Sequence, residues 1–332
     1  MRDWCILVGA DEDYAMGLAV TLDTALGGVD GRVEVWVVDG GMTGDTRRRI
    51  ARVVDRRGGS IRWHRLDKRA FDGVRVAPWG SVVNYFPLLA PSLVDTGLVL
   101  ALDSDLLVRD PLEELVGTWE RGSAPVGAVL DFGIRTVEGV FGPDVARELQ
   151  IDPTTPYFNS GVMLIDVEVW REMGISERAA SFAKEHGDVM RFSDQDALNA
   201  VVAGRWVRLD DRWNVQVGNV SRAVSHDPEA AFLLSNPGIV HYSGPAKPWT
   251  ARYWGPWRSP YLEALRRSGW FDSTEEWAVW RMAHLARTPW GLMTHLARRS
   301  RPRVARLARR LPGGTRVISW AKRLGRRDTG LE

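Results

Sequence analysis

Gly97-Leu98-Val99-Leu100-Ala101-Leu102-Asp103-Ser104-Asp105 decides how the chain is read. Leu98 to Leu102 is apolar without alternation, which marks a strand covered on both faces rather than one with a wet side. The run stops at two carboxylates spaced i and i+2. In parallel α/β sheets, ligands bind outside the carboxyl ends of the strands, and Asp103 and Asp105 stand at such an end. Carboxylates at that spacing can converge on one hard divalent cation, completed by substrate phosphates. A solvated turn or a helix cap would use the same pair, so the motif alone leaves both readings open.

Working outward from this stretch, the sequence alternates strands and helices. Towards the N-terminus, Cys5–Ala10 is a short apolar strand, Tyr14–Leu26 has helical spacing and Val33–Val38 is a second strand. Thr43 caps a helix to about Arg57, where Gly58-Gly59 stops it, and Ser60–Leu66 alternates as a third strand. Val82–Leu93 reads as helical, interrupted by Pro87 and Pro91.

Towards the C-terminus, Pro125–Leu130 and Gly161–Ile165 read as strands. Val167–Met173, Ser176–His186 and Ser193–Ala203 read as helices, the last with Ser193 as N-cap, and Ile239–Tyr242 is a late strand. The pattern predicts an α/β domain over residues 1–260 with a mixed, mostly parallel central sheet.

Three more polar clusters fall at strand or helix ends. Val240-His241-Tyr242-Ser243-Gly244-Pro245-Ala246-Lys247 joins an imidazole, a glycine that lets backbone approach a ligand, and a point charge for a phosphate. Phe158-Asn159-Ser160-Gly161 offers neutral donors and acceptors suited to hydroxyls. Ser193-Asp194-Gln195-Asp196 sets a carboxylate and an amide at a helix N-terminus, where Asp194 also serves as a capping candidate.

With 332 residues, 45% hydrophobic and 26% charged, the composition excludes a disordered, collagenous or fibrous chain. Cys5 is the single cysteine, so an internal disulfide and a cysteine-cluster zinc site are ruled out, and its apolar setting reads as a buried strand residue. No secretory leader is expected, and no apolar window approaches the ~18 residues of a membrane span. The expected location is cytoplasmic, peripheral on the inner face of the cell membrane.

The formal net charge of +2 conceals an asymmetry. Residues 281–327 hold fourteen Lys and Arg and no acid; residues 261–332 carry +10 and residues 1–260 carry −8. After Pro260, short helical candidates at 261–267, 275–287, 291–299, 302–311 and 315–324 form a basic extension with Trp277, Trp280, Trp290 and Trp320. An anionic membrane surface is its expected partner. A solvated or oligomer-forming extension is the alternative, and nucleic acid is not expected, since no nucleic-acid module accompanies the run.

The four clusters, in this order, resemble glycosyltransferase family 8, which includes bacterial lipopolysaccharide α-galactosyl- and α-glucosyltransferases and glycogenin. The resemblance spans about residues 4–258 and looks closest to the lipopolysaccharide galactosyltransferase branch. It implies a GT-A fold, a UDP-sugar donor bound through Mn²⁺ (with Mg²⁺ as the other candidate), and transfer of a hexose, galactose or glucose favoured, with retention. The acceptor would be a hydroxyl of a glycan, glycolipid or small molecule. Asp103, Asp105 and His241 match the metal ligands. Ala10, Asp11 and Tyr14 match the segment that holds uracil and ribose, with Asp13 where relatives often have Asn. Ser104 belongs with the donor-binding residues, and Gly244 and Lys247 match the diphosphate segment. Asn159, Asp194 and Gln195 match residues around the donor sugar, Gln195 and Asp194 being the catalytic candidates. Relatives carry a donor-binding Arg shortly after the Tyr of the helix before the DxD strand. Here the stretch is Asn84-Tyr85-Phe86-Pro87-Leu88-Leu89, with Pro87 in that place. A non-catalytic sugar-nucleotide-binding protein and a nucleotidyltransferase are the alternatives.

Overall fold

The computed structural model describes residues 3–77, 80–95, 97–250 and 252–286. Ten strands are described: β1 (Trp4–Ala10), β2 (Glu34–Asp39), β3 (Ser60–Arg65), β4 (Leu98–Leu102), β5 (Leu106–Val108), β6 (Val126–Leu130), β7 (Phe158–Asp166), β8 (Val207–Arg208), β9 (Val215–Gln216) and β10 (Ile239–His241). Seven form a sheet in the order β3-β2-β1-β4-β7-β6-β8; the others form a smaller sheet, β5-β10-β9. Pairing is parallel from β3 through β4 and between β6 and β8, while β7 runs antiparallel to β4 and β6.

The expected mixed, mostly parallel sheet is present. Every residue of β4 is buried, as its unbroken apolar run requires. Its alternate side chains enter the two cores on opposite sheet faces: Val99 and Ala101 in one, Leu98, Leu100 and Leu102 in the other.

Local signals explain several boundaries. Thr43 caps the helix Gly44–Arg56 by accepting the Thr46 N–H at 3.2 Å. Pro87 lies in a 3₁₀ helix, Val82–Leu89, followed by a short α-helix, Ala90–Leu93. The helix expected over Val82–Leu93 is therefore two pieces, because proline cannot donate the hydrogen bond a continuous α-helix needs.

Ser193 is not the cap of its helix. It adopts φ +30°, and its Oγ accepts from the Ala77 N–H at 2.9 Å. Asp196 closes the helix start instead, accepting from the backbone N–H groups of Arg191 and Phe192.

The described chain separates into two compact units. Of the described residues, one unit holds those within 3–247 and 254–270, with the helix Arg258–Arg267; the other holds those within 248–253 and 271–286. Within the second, the helix Thr274–Ala286 carries an aromatic cluster, with Trp280 5.3 Å from Trp277 and 4.8 Å from His284 between ring centroids. Trp280, expected on a membrane-facing side, is buried. The helical candidates at 291–299, 302–311 and 315–324, with Trp290 and Trp320, lie outside the described residues.

Candidate active site

Strand polarity gathers the site at one sheet edge. β4 and β6 end there and β7 begins there, so Asp103, Asp131 and Asn159 all emerge at that edge. Between β6 and β7 the register jumps from Ala128–Met163 to Val129–Asn159. Such an irregularity interrupts pairing and re-aims side chains, and here it falls at Ser160-Gly161.

The backbone then anchors the two carboxylates. The Asp103 N–H donates to Gly161 O at 2.9 Å, and the Tyr242 N–H donates to Asp105 O at 3.1 Å. β5 begins at the next residue, and its Leu106 pairs with His241 at the end of β10.

Asp103, Asp105 and His241 consequently meet, with ligand atoms within 4.8 Å of one another. His241 Nε2 lies 3.5 Å from Asp103 Oδ2 and 3.4 Å from Asp105 Oδ1. Lys247 Nζ donates to Asp105 Oδ2 and to Tyr242 O. Asp105 Oδ1 is buried with no hydrogen-bond partner. A buried carboxylate oxygen left bare is costly, and a divalent cation would cover it. Two carboxylate oxygens and an imidazole nitrogen are donors that Mn²⁺ accepts.

The charges are strongly coupled. Burial, helped by Asp105, pushes the Asp103 carboxyl up to about 6 against the pull of His241 and Lys247. Burial also disfavours the ionised form of Asp105, but Lys247 and His241 outweigh it and hold that carboxyl well below the ordinary range. For His241, burial favours the neutral ring, while Asp105 and Asp103 reverse the balance and raise it.

Glycine is required at two points. A Cβ on Gly161 would stand 2.4 Å from His241 Cε1 and 2.9 Å from Asp103 Oδ2. Gly244 adopts φ +90°, a backbone conformation that strains any other residue.

Ala10, Asp11 and Tyr14 line the end of β1, which pairs with β4. Ala10 O accepts from the Gly40 N–H at 2.9 Å. Asp11 Oδ1 accepts from the Tyr14 N–H at 3.4 Å, and Lys247 Nζ sits 5.5 Å from the Tyr14 ring centroid. Ser104 is buried between the two carboxylates, and Asp13 is exposed.

On the other side, a buried polar array carries Gln195. Its Oε1 accepts from Asn159 Nδ2 at 2.9 Å and from the Ser160 N–H at 3.2 Å; its Nε2 donates to Asp131 Oδ2 at 3.3 Å and to the Tyr157 hydroxyl at 3.1 Å. Tyr157 in turn donates to Asp196. Asn159 Nδ2 also donates to Asp131 Oδ2 at 3.0 Å. Burial, then the charge of Asp103, pushes the Asp194 carboxyl well above its ordinary value, against the hydrogen bond from Ser160. Pro87 is buried, and the nearby Tyr85 hydroxyl donates to Arg75 O.

The residues singled out from the sequence thus converge on one edge. Sequence reasoning missed Asp131, Tyr157 and Asn214. Asp131 had a signal, since it follows the apolar run Val126–Leu130 just as Asp103 follows Leu98–Leu102. Asn214 had none, because β9 has only two residues.

Fold and site define a glycosyltransferase of the GT-A type: a nucleotide-sugar fold whose strand ends present an acidic pair, an imidazole and a lysine. Residues 5–252 match the pattern described as Glycosyl transferase family 8, and the chain belongs to that family. General stress protein A of Bacillus subtilis (strain 168) is 28% identical over 273 residues, covering 79% of this chain and 92% of that protein. Lipopolysaccharide 1,2-glucosyltransferase of Escherichia coli (strain K12) is 23% identical over 274 residues, covering 81% of this chain and 79% of that protein. Among solved structures, the galactosyltransferase LgtC in complex with donor and acceptor sugar analogues superposes with a TM-score of 0.64 at 28% identity, covering 78% of this chain and 94% of that one. An active-site Gln-to-Glu variant of LgtC gives a TM-score of 0.66 at 27% identity, with the same coverage.

Proposed function

We propose that the protein transfers a hexose, galactose or glucose, from a UDP-sugar to a hydroxyl of a glycan, glycolipid or other envelope acceptor, with retention at the anomeric carbon and with Mn²⁺ at Asp103, Asp105 and His241. The observation that carries this reading is the convergence of those three side chains beside Lys247, with Asp105 Oδ1 buried and bare. Support for the hexose comes from the similar proteins, which are named as a 1,2-glucosyltransferase and a galactosyltransferase.

A metal held by Asp103, Asp105 and His241 would stabilise the charge that develops on the departing diphosphate. Lys247 supplies a second positive charge for that oxygen, and Gly244 lets the backbone approach it. Ala10, Asp11 and Tyr14 hold the nucleoside, with Ser104 beside the carboxylates. Asn159 and Asp194 border the sugar.

Simple retaining hydrolases use a carboxylate nucleophile. Gln195 is unsuited to that role: an amide is a poor nucleophile, and its oxygen already accepts two hydrogen bonds. The favoured route is front-face. The acceptor oxygen bonds to the anomeric carbon as the carbon–oxygen bond to UDP breaks, and the acceptor proton passes to a UDP oxygen. Trapping a glycosyl adduct on Asp194 would overturn this route.

The cytoplasmic location and the anchoring of residues 281–327 on anionic lipid complete the reading. No helix among the described residues is long and apolar enough to cross a membrane. Co-flotation with anionic but not zwitterionic vesicles tests the anchor. Thermal-shift screening of UDP-galactose, UDP-glucose and UDP-N-acetylglucosamine with Mn²⁺ tests the donor: one of the first two should raise Tm most, and only with the metal. Equal shifts without Mn²⁺ would contradict it.

A further inference from the structure

Asn214 lies behind the candidate metal site, on the side away from the carboxylates. It is buried, with 2% of its surface exposed. Its Oδ1 is 2.8 Å from His241 Nδ1, and its Nδ2 donates to Asn159 Oδ1 at 2.8 Å.

The polarity of this chain follows from groups that can only donate. The Gly161 backbone N–H points at Asn159 Oδ1 at 3.0 Å, so that atom of Asn159 must be its carbonyl oxygen. The other end of Asn159 faces Gln195 Oε1, which the Ser160 N–H fixes as an oxygen in the same way. With Asn159 so fixed, the Asn214 atom facing it must be the amide nitrogen. The Asn214 atom facing His241 is then its oxygen, which can only accept. Nδ1 of His241 must therefore carry a proton, and in the neutral ring Nε2 is left with its lone pair towards Asp103 and Asp105. Metal-binding histidines are commonly oriented by a partner on the other ring nitrogen.

We infer that Asn214 is a positioning residue: anchored through Asn159 to the backbone of Gly161, it holds His241 in the Nδ1–H tautomer with Nε2 aimed at the carboxylate pair. The metal-affinity part of this inference rests on the reading of His241 as a metal ligand; the tautomer part does not. The same amide joins the metal side of the site to the sugar side, because Asn159 also clamps Gln195.

The test uses the full chain and two substitutions. Asn214→Leu removes both contacts; Asn214→Asp keeps an acceptor opposite Nδ1 but cannot donate to Asn159. Two measurements are made on the metal-free and Mn²⁺-titrated proteins: long-range ¹H–¹⁵N correlation of the His241 ring at a pH where it is neutral, and free Mn²⁺ by electron paramagnetic resonance. Wild type should show the Nδ1–H form. Asn214→Leu should lose that preference and bind Mn²⁺ ~10–100-fold more weakly, as loss of such a partner typically does. Asn214→Asp should keep the Nδ1–H form and bind Mn²⁺ at least as tightly as wild type, while kcat falls through the lost hydrogen bond to Asn159 Oδ1. A merely structural role would weaken both variants together.

A wild-type Nε2–H form, or unchanged tautomer and affinity in Asn214→Leu, would overturn the inference. If Asn214→Leu fails to fold, the wild-type spectrum and Asn214→Asp still decide it. Absence of Mn²⁺ binding by wild type would overturn the metal reading, leaving the tautomer measurement to judge Asn214.

Discussion

Gly161 shows how narrowly single residues set this site. A methyl group there would collide with the ring of His241 and approach Asp103 Oδ2. Gly161→Ala should therefore displace His241, cost ~1–3 kcal/mol of stability as overpacking does, and lower Mn²⁺ affinity; calorimetry and a metal titration would measure both, and an unchanged affinity would show that the ring has room to move. Protonation of Asp103 gives a second prediction. Its carboxyl is pushed up to about 6, so below that pH a proton competes with the cation. Apparent Mn²⁺ affinity should fall on acidification through pH 6, by up to ~10-fold per unit for this one group. In the metal-free protein the sign is opposite. A folded-state value above the unfolded one contributes stability at low pH that is lost as pH rises through about 6.

Legibility in the sequence followed length and continuity of pattern. β1 to β4 were readable because each is an apolar or alternating run ended by polar or glycine residues. β5, β8 and β9 were not, since two or three residues hold no period, and so the smaller sheet that brings His241 to Asp105 stayed hidden. Ser193 was misread because a serine before a helical run usually caps it, whereas here Asp196 takes that task and the hydroxyl serves a distant backbone N–H. Cys5 in β1 was read correctly as a buried strand residue. Burial, with a small contribution from Glu34, pushes its thiol up to about 12. Native protein should leave a thiol reagent unreacted at pH 8 and unfolded protein should react fully; rapid labelling of the native form would contradict the packing of β1 against β2 and β4.

For the whole molecule, the −8 of residues 1–260 is in part the carboxylates concentrated at the sheet edge, and the fourteen Lys and Arg of residues 281–327 are the proposed anchor. Family and fold were readable because four separated motifs occurred in order; the buried polar side chains that connect them were not, because Asn214 and Asp131 come together with Asn159 and Gln195 only through strand pairing and packing. The central claim is metal-dependent transfer from a UDP-sugar at Asp103, Asp105 and His241. Its most direct test is UDP release from UDP-galactose and UDP-glucose, with and without Mn²⁺, by wild type and by Asp103→Ala of matched circular dichroism. Wild type should release UDP only with the metal, and Asp103→Ala should be slower by at least ~100-fold, the scale of losing one group that stabilises transition-state charge. Metal-independent release, or wild-type rates from Asp103→Ala, would contradict the account.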